Sequence, residues 1–224
     1  TGCASGPGVT ARDPFETFNR SVTRFNDGAD EVVLKPAATA YRAVAPPMVR
    51  TGVSNFFGNL NDAWSVVNNL LQFKLQHAAE MFIRVNMNTF FGLGGVLDVA
   101  SEFNMECHKE DFGQTLGRWG VPAGPYVVLP LLGPSTVRDA AAFSLDRQGD
   151  LIRGVSPTPA RNATYVLRAV DIRSNLLRAS TVLDEVALDK YTFTRDVFLQ
   201  RRRAEMYDGN PPDLPYEQLS PNQK

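Results

Sequence analysis

Apolar residues recur at helical spacing along most of this chain. After Asp13-Pro14, a cap residue followed by the imino acid that suits the first helical position, Phe15, Phe18, Val22 and Phe25 fall on one face. Asp27-Gly28 offers an end to that helix, and Pro46-Pro47 opens a second that runs through Val53, Phe56 and Phe57 to Gly58. Asn61-Asp62 caps a third, uncharged from Ala63 to Phe73, and a fourth covers Leu75 to about Phe91 before dissolving into Gly92-Leu93-Gly94-Gly95. Further helices are expected over Glu110–Leu116, from Ser135 to about Asp146, from Ala160 to Ala179 and from Leu188 to Tyr207. The pattern predicts a single all-α domain over residues 13–207, between a small-residue leader (1–12) and a flexible, proline-containing tail (208–224).

One stretch breaks the pattern. Nineteen consecutive uncharged residues, Trp119 to Val137, read WGVPAGPYVVLPLLGPSTV, a length that a bilayer-spanning helix needs. Pro122, Pro125, Pro130 and Pro134 interrupt it, and each interior proline would cost a helix about 3 kcal/mol. Irregular backbone at membrane depth is tolerated only where protein buries it or where it lines a cavity. The stretch is therefore a buried core loop or the wall of an apolar passage. The phenylalanine-rich faces of the helices carry a parallel ambiguity, since a helical core and a helix lying in a membrane interface need the same stripe.

Composition narrows the choice of chemistry. The 224 residues are 43% hydrophobic and 21% charged with a formal net charge of −1, which gives no electrostatic footing for nucleic acid. Arg201-Arg202-Arg203 is the local exception and reads as a solvated, dipole-favoured helix end. Thr1-Gly2-Cys3 looks like the tail of a bacterial lipoprotein signal, with Cys3 as the residue that is acylated and Ala4–Arg12 as its tether. Cys107 then has no obvious disulfide partner.

Catalytic and metal patterns fail on inspection. Cys107-His108-Lys109-Glu110-Asp111 resembles a ligand cluster, but no second ligand pair stands at zinc spacing, and His77 with Glu80 lacks the second histidine of a metalloprotease helix. The third glycine of a dinucleotide loop would fall at Leu97, no GxxxxGK[ST] occurs, and Phe56 occupies the glycine position that a nucleophile elbow requires after Ser54. We expect neither an enzyme nor a metal or cofactor site. The four-residue spacings Gly113/Gly117 and Gly120/Gly124 allow close backbone approach or, more simply, tight turns.

Five segments together resemble one family. DPFETFNR (Asp13–Arg20), VRTGVSNFFGNL (Val49–Leu60), VVNNLLQ (Val66–Gln72), NTFFGLGGVLDVA (Asn88–Ala100) and Glu110–Asp139 are similar, in order, to the MlaA (VacJ) outer-membrane lipoproteins. Ala63 and Phe73 depart from it, standing where proline and glycine are usual, and Cys107 is atypical. The resemblance implies a ring of amphipathic helices embedded in the periplasmic leaflet of a Gram-negative outer membrane, lipid-anchored through Cys3. Its implied partners are phospholipids, a trimeric porin and a soluble periplasmic lipid carrier. Phospholipids misplaced in the outer leaflet would leave through an amphipathic channel. On that basis Trp119, Tyr126, Val127, Leu129, Leu131 and Leu132 are expected to form the wall, and Asn55, Phe56, Phe57, Gly58, Asn59 and Leu60 a turn that controls the opening. A scaffolding lipoprotein that binds porins and lipid without transport, and a lipid hydrolase, are the competing classes.

Overall fold

Asn19 and Asn26 lie seven residues apart on the first helix and organise the strands that follow a hundred residues later. The computed structural model describes residues 13–212; Cys3, the 1–12 leader and the tail from Asp213 onward lie outside the described residues. Helix α1 (Glu16–Ala29) runs without a break through a π-helical turn (Asp30–Leu34) into α2 (Lys35–Val44). Two long antiparallel partners follow, α3 (Pro47–Leu71) and α4 (Leu75–Phe90), then the short α5 (Val99–Glu102) and α6 (Phe112–Arg118). A hairpin of β1 (Tyr126–Leu129) and β2 (Gly133–Thr136) leads into α7 (Val137–Gly149), and α8 (Thr158–Val186) and α9 (Lys190–Met206) complete the order. Helix α8 packs along α2 and α3, while α6 packs on α7. The architecture is the mostly helical one expected, with one two-stranded sheet added.

Three departures from the expected elements have local causes. The first helix does not end at Gly28. The chain stays helical because the π turn, closed by Lys35 N–H on Asp30 O, loosens the ladder ahead of Pro36 and accommodates its missing donor.

Residues 55–60 are not a turn; they sit inside α3, which runs on past Asn61-Asp62 to Leu71. Their asparagines instead serve packing. Asn55 Nδ2 donates to Val96 O (3.1 Å) and Asn59 Nδ2 to Thr89 Oγ1 (3.0 Å). A Cβ on Gly95 would come within 2.7 Å of Asn59, so the glycine lets the 91–97 loop lie against α3. Phe73, at the α3–α4 corner, holds a left-handed φ of 60°, which is why glycine is the expected residue there.

The proline-rich stretch folds as the third departure. Pro125 and Pro130 flank β1, and Pro134 lies on an edge strand where a missing donor is tolerated. Tyr126 pairs with Thr136 and Leu129 with Gly133, leaving Pro130, Leu131 and Leu132 as the tip. Asn19 acts as a substitute neighbour for β1, donating to Tyr126 O (3.1 Å) and accepting from Val128 N–H (2.8 Å). Asn26 repeats the arrangement at the tip, donating to Leu129 O (3.0 Å) and accepting from Leu131 N–H (2.7 Å).

The distribution of polarity is inverted relative to a water-soluble domain. Among the described residues, 10 hydrophobic residues are buried against 18 polar or charged ones, while 37 large hydrophobic side chains are exposed. Among the described residues, a compact apolar cluster joins Tyr126, Val128 and Tyr191 beneath the hairpin. Apolar surface on that scale marks an interaction face, and not the coat of a free monomer.

Candidate functional site

Three cavities border the hairpin tip, and Leu132 lines all of them. The largest, about 450 Å³, lies between α3, α7 and α8, with Leu60, Trp64, Phe143 and Ile172 on its apolar side. A second, about 360 Å³, separates the tip from α1, α8 and α9 and includes Leu131, Val128, Leu176 and Leu183. A third, about 250 Å³, opens between the hairpin, α7 and α9 and includes Leu129 and Phe198. The first and third also share Asp111, Phe143 and Asp146, and the second and third share Pro134. No helix among the described residues is long and apolar enough to cross a membrane.

The six expected wall residues divide between this space and elsewhere. Leu129, Leu131 and Leu132 line the cavities, as does Tyr126, although its ring is otherwise buried edge-on against Tyr191 and Phe198. Burial, with the Asp13 carboxylate next, pushes the Tyr126 phenol up to about 12. Trp119 and Val127 are not among the lining residues of these cavities. Trp119 caps the α3–α4 corner instead: Nε1 donates to Leu71 O at 3.0 Å and the indole meets Phe112 edge-on. Within the expected turn, Leu60 borders the largest cavity while Phe57 is buried in α3.

An ionic clasp holds the helices behind the tip. Arg202, taken from sequence as part of a solvated helix end, is nearly enclosed. Its Nε donates to Asp139 Oδ2 (2.9 Å), while Nη1 and Nη2 grip Asp111 (2.6 and 2.8 Å). Arg138 Nε reaches the other oxygen of Asp139 at 2.9 Å. Burial acts to raise both carboxyls, but the Arg202 hydrogen bonds outweigh it, so Asp111 and Asp139 lie below the usual carboxylate range. Gly113 is what permits this approach, since a Cβ there would stand 2.5 Å from Asp139 Oδ1 and 2.7 Å from Arg202 Nη2. The sequence signal was the Gly113/Gly117 spacing; its partners, on α7 and α9, are too distant in sequence to read.

A second polar seam lines the α3 side. Asn69 donates to His108 O (3.1 Å), Ser65 Oγ to Glu110 O (3.2 Å) and Gln72 to Glu110 Oε2 (2.9 Å). Lys74 closes it, with Nζ 2.8 Å from Glu110 Oε1 and 2.6 Å from Asp208 Oδ1. The residues that resembled a ligand cluster are dispersed among such contacts. His108 pairs with Glu80 at 2.8 Å and stacks on His77 at 3.8 Å between ring centres, and Cys107 Sγ lies 3.9 Å from Asp62.

Comparison with known proteins agrees with this geometry. The MlaA lipoprotein family matches residues 11–205. The intermembrane phospholipid transport system lipoprotein MlaA of Escherichia coli K12 is 35% identical over 212 residues, covering 89% of this chain and 81% of that protein. Its namesake in Haemophilus influenzae is 32% identical over 93% of this chain and 86% of that protein. A solved structure presented as the structural basis for maintenance of bacterial outer membrane lipid asymmetry superposes with a TM-score of 0.74 at 33% identity, over 88% of this chain and 99% of that one. A mostly helical fold that superposes on the solved structure, with the family matched over residues 11–205, makes this chain a member of the MlaA lipoprotein family.

Proposed function

We propose that the protein is an outer-membrane lipoprotein that withdraws phospholipids from the outer leaflet through the space around Leu132 and passes them to a soluble periplasmic carrier. The helices would lie in the periplasmic leaflet beside a trimeric porin, with their exposed phenylalanines in lipid or against that partner. Support comes from the relatives' phospholipid-transport role and from one observation above all, that a single apolar residue at the hairpin tip, Leu132, lines three cavities.

The energetics define what such a conduit has to do. Moving about thirty acyl methylenes through water would cost on the order of 24 kcal/mol at ~0.8 kcal/mol each. An apolar path bounded by paired charges removes most of that cost while keeping the headgroup solvated. Containment of this kind asks for no bond-making residue, and any energy input comes from partner proteins. Directionality would follow from the carrier's affinity for the lipid that emerges.

Leu132→Asp tests the reading. A carboxylate in hydrocarbon costs about 2.5–3.5 kcal/mol, which slows passage on the order of a hundredfold at about 1.4 kcal/mol per decade. Transfer of labelled phospholipid from outer-membrane vesicles to the purified carrier should fall accordingly, with fractionation of the protein unchanged. Transfer at the wild-type rate, with porin and lipid still co-purifying, would identify a scaffold instead.

A further inference from the structure

The largest cavity, which shares Asp146 with the smallest of the three, carries charge that the protein leaves uncompensated. Seven ionisable side chains line it: Glu110, Asp111, Asp146, Arg147, Asp150, Tyr165 and Arg168. Most are already occupied. Glu110 is held by Lys74 and Gln72, Asp111 by Arg202, and Asp150 by Arg168 at 3.1 Å.

Three groups remain. Asp146 receives Trp64 Nε1–H and Phe112 N–H, both at 2.8 Å and both on Oδ1, so Oδ2 has no partner among the described residues. Arg147, next along α7, makes no ion pair among the described residues. Tyr165 Oη is buried beside the Asp150 carboxylate but makes no well-aligned hydrogen bond among them. A better-placed acceptor in the cavity would relieve part of the about 1–3 kcal/mol that an unsatisfied buried hydroxyl costs.

Resting on the conduit reading above, we propose that this cavity is a headgroup station selecting zwitterionic, amine-bearing phospholipids. Asp146 Oδ2 takes the ammonium, and Arg147 and Tyr165 take the phosphate. The donor set supports that division: one carboxylate oxygen, one guanidinium and one hydroxyl match a phosphate linked to a primary amine. A glycerol-headed anionic lipid would satisfy Arg147 and Tyr165 but leave Asp146 against a hydroxyl. The cavity's size suits a headgroup with the start of its chains, falling in the usual range for small-ligand sites.

The surroundings fix Asp146 for this role. The Trp64 indole holds Oδ1, and Gly149 makes room for that ring, since a methyl group there would overlap it. Burial raises the Asp146 carboxyl despite the Trp64 and Phe112 hydrogen bonds. An arriving ammonium would bring it back down, so amine binding and ionisation of Asp146 reinforce each other.

The test uses the full chain in detergent, equilibrated with mixed micelles of equal phosphatidylethanolamine and phosphatidylglycerol, with bound lipid quantified by mass spectrometry. Wild type should hold the amine-headed lipid in about tenfold excess, one ionic contact at about 1.4 kcal/mol per decade. Asp146→Asn, which keeps an acceptor for Trp64 and Phe112, should lose that excess selectively. Arg147→Gln, at an exposed and unpaired position, should lower retention of both lipids together.

An equal ratio in wild type and Asp146→Asn overturns the headgroup station and leaves the conduit standing. No phospholipid of either class on the wild type would instead overturn the conduit.

Discussion

Leu131 and Leu132 at the hairpin tip are exposed to 67% and 57%, and Phe90 and Phe91 at the end of α4 to 76% and 73%. By exposure the two pairs are alike. By shape they are opposites, for the leucines line cavities and the phenylalanines line none of those described. Exposed apolar area alone therefore does not separate an inner passage from an outer belt; what lies across from it does. The leucines need a rigid mount to keep the cavities open, whereas the phenylalanines need only a helix that presents them outward. Asn19, Asn26 and the Arg202 clasp supply the mount.

The largest expected effect comes from removing that mount. Arg202→Ala leaves Asp111 without its cation and Asp139 with Arg138 alone, and losing the enclosed Arg202–Asp139 contact costs about 3 kcal/mol, the low end for a buried pair. The urea midpoint of the detergent-solubilised protein should drop accordingly, and a drop under about 1 kcal/mol would show the clasp to be solvated as a surface pair is.

Acid tests the same clasp with a defined sign. Both carboxyls have folded values below their unfolded ones, so their stabilisation is complete above about pH 4 and disappears as pH falls through the folded values. The midpoint should hold from pH 7 to about 5 and fall below about 4, and Arg202→Ala should flatten that fall. An equally steep loss in the variant would place the acid sensitivity elsewhere.

The outer belt gives the next effect. Phe90→Asp with Phe91→Asp removes two aromatic anchors worth about 1.5–3 kcal/mol each when buried, so partitioning of the protein into outer-membrane vesicles should weaken by tenfold or more while its thermal midpoint stays put. A protein that unfolds instead would place these rings in a core contact and dissolve the distinction between belt and passage.

How much of this was legible in the sequence follows the range of the interactions. The helical stripes are local, and Phe18, Val22 and Phe25 were placed correctly on α1, with Phe15 at its N-cap instead of inside it, but the same stripe could not say whether they met protein or lipid. Helix ends were misjudged where glycine and asparagine serve a neighbour. Gly28 ends nothing because the π turn carries the strain of Pro36, and Asn55 and Asn59 hold the 91–97 loop. The Trp119–Val137 stretch showed that it could not be a helix. Its hairpin remained hidden because the partners that complete β1 are side chains of α1, more than a hundred residues away. Arg202 and Asp146 were missed for the same reason: their roles rest on which charges are taken and which are left over.

The smallest effect is the sharpest probe of the tip itself. Asn26 holds both sides of the bend, donating to Leu129 O and accepting from Leu131 N–H, where Leu131 sits at a left-handed φ of 62° that a branched side chain does not favour. Asn26→Ala removes both bonds while α1 continues undisturbed, since alanine is the better helix former. The cost is about 1–2 kcal/mol confined to the tip, which leaves global unfolding nearly unchanged but speeds amide exchange at Leu131 on the order of tenfold at about 1.4 kcal/mol per decade. Lipid transfer should slow by less than in Leu132→Asp, because the apolar surface remains and only its position is relaxed. Exchange at Leu131 unchanged from wild type would mean that Tyr126, Val128 and Tyr191 beneath the hairpin hold the tip without Asn26, and that the mount lies in packing.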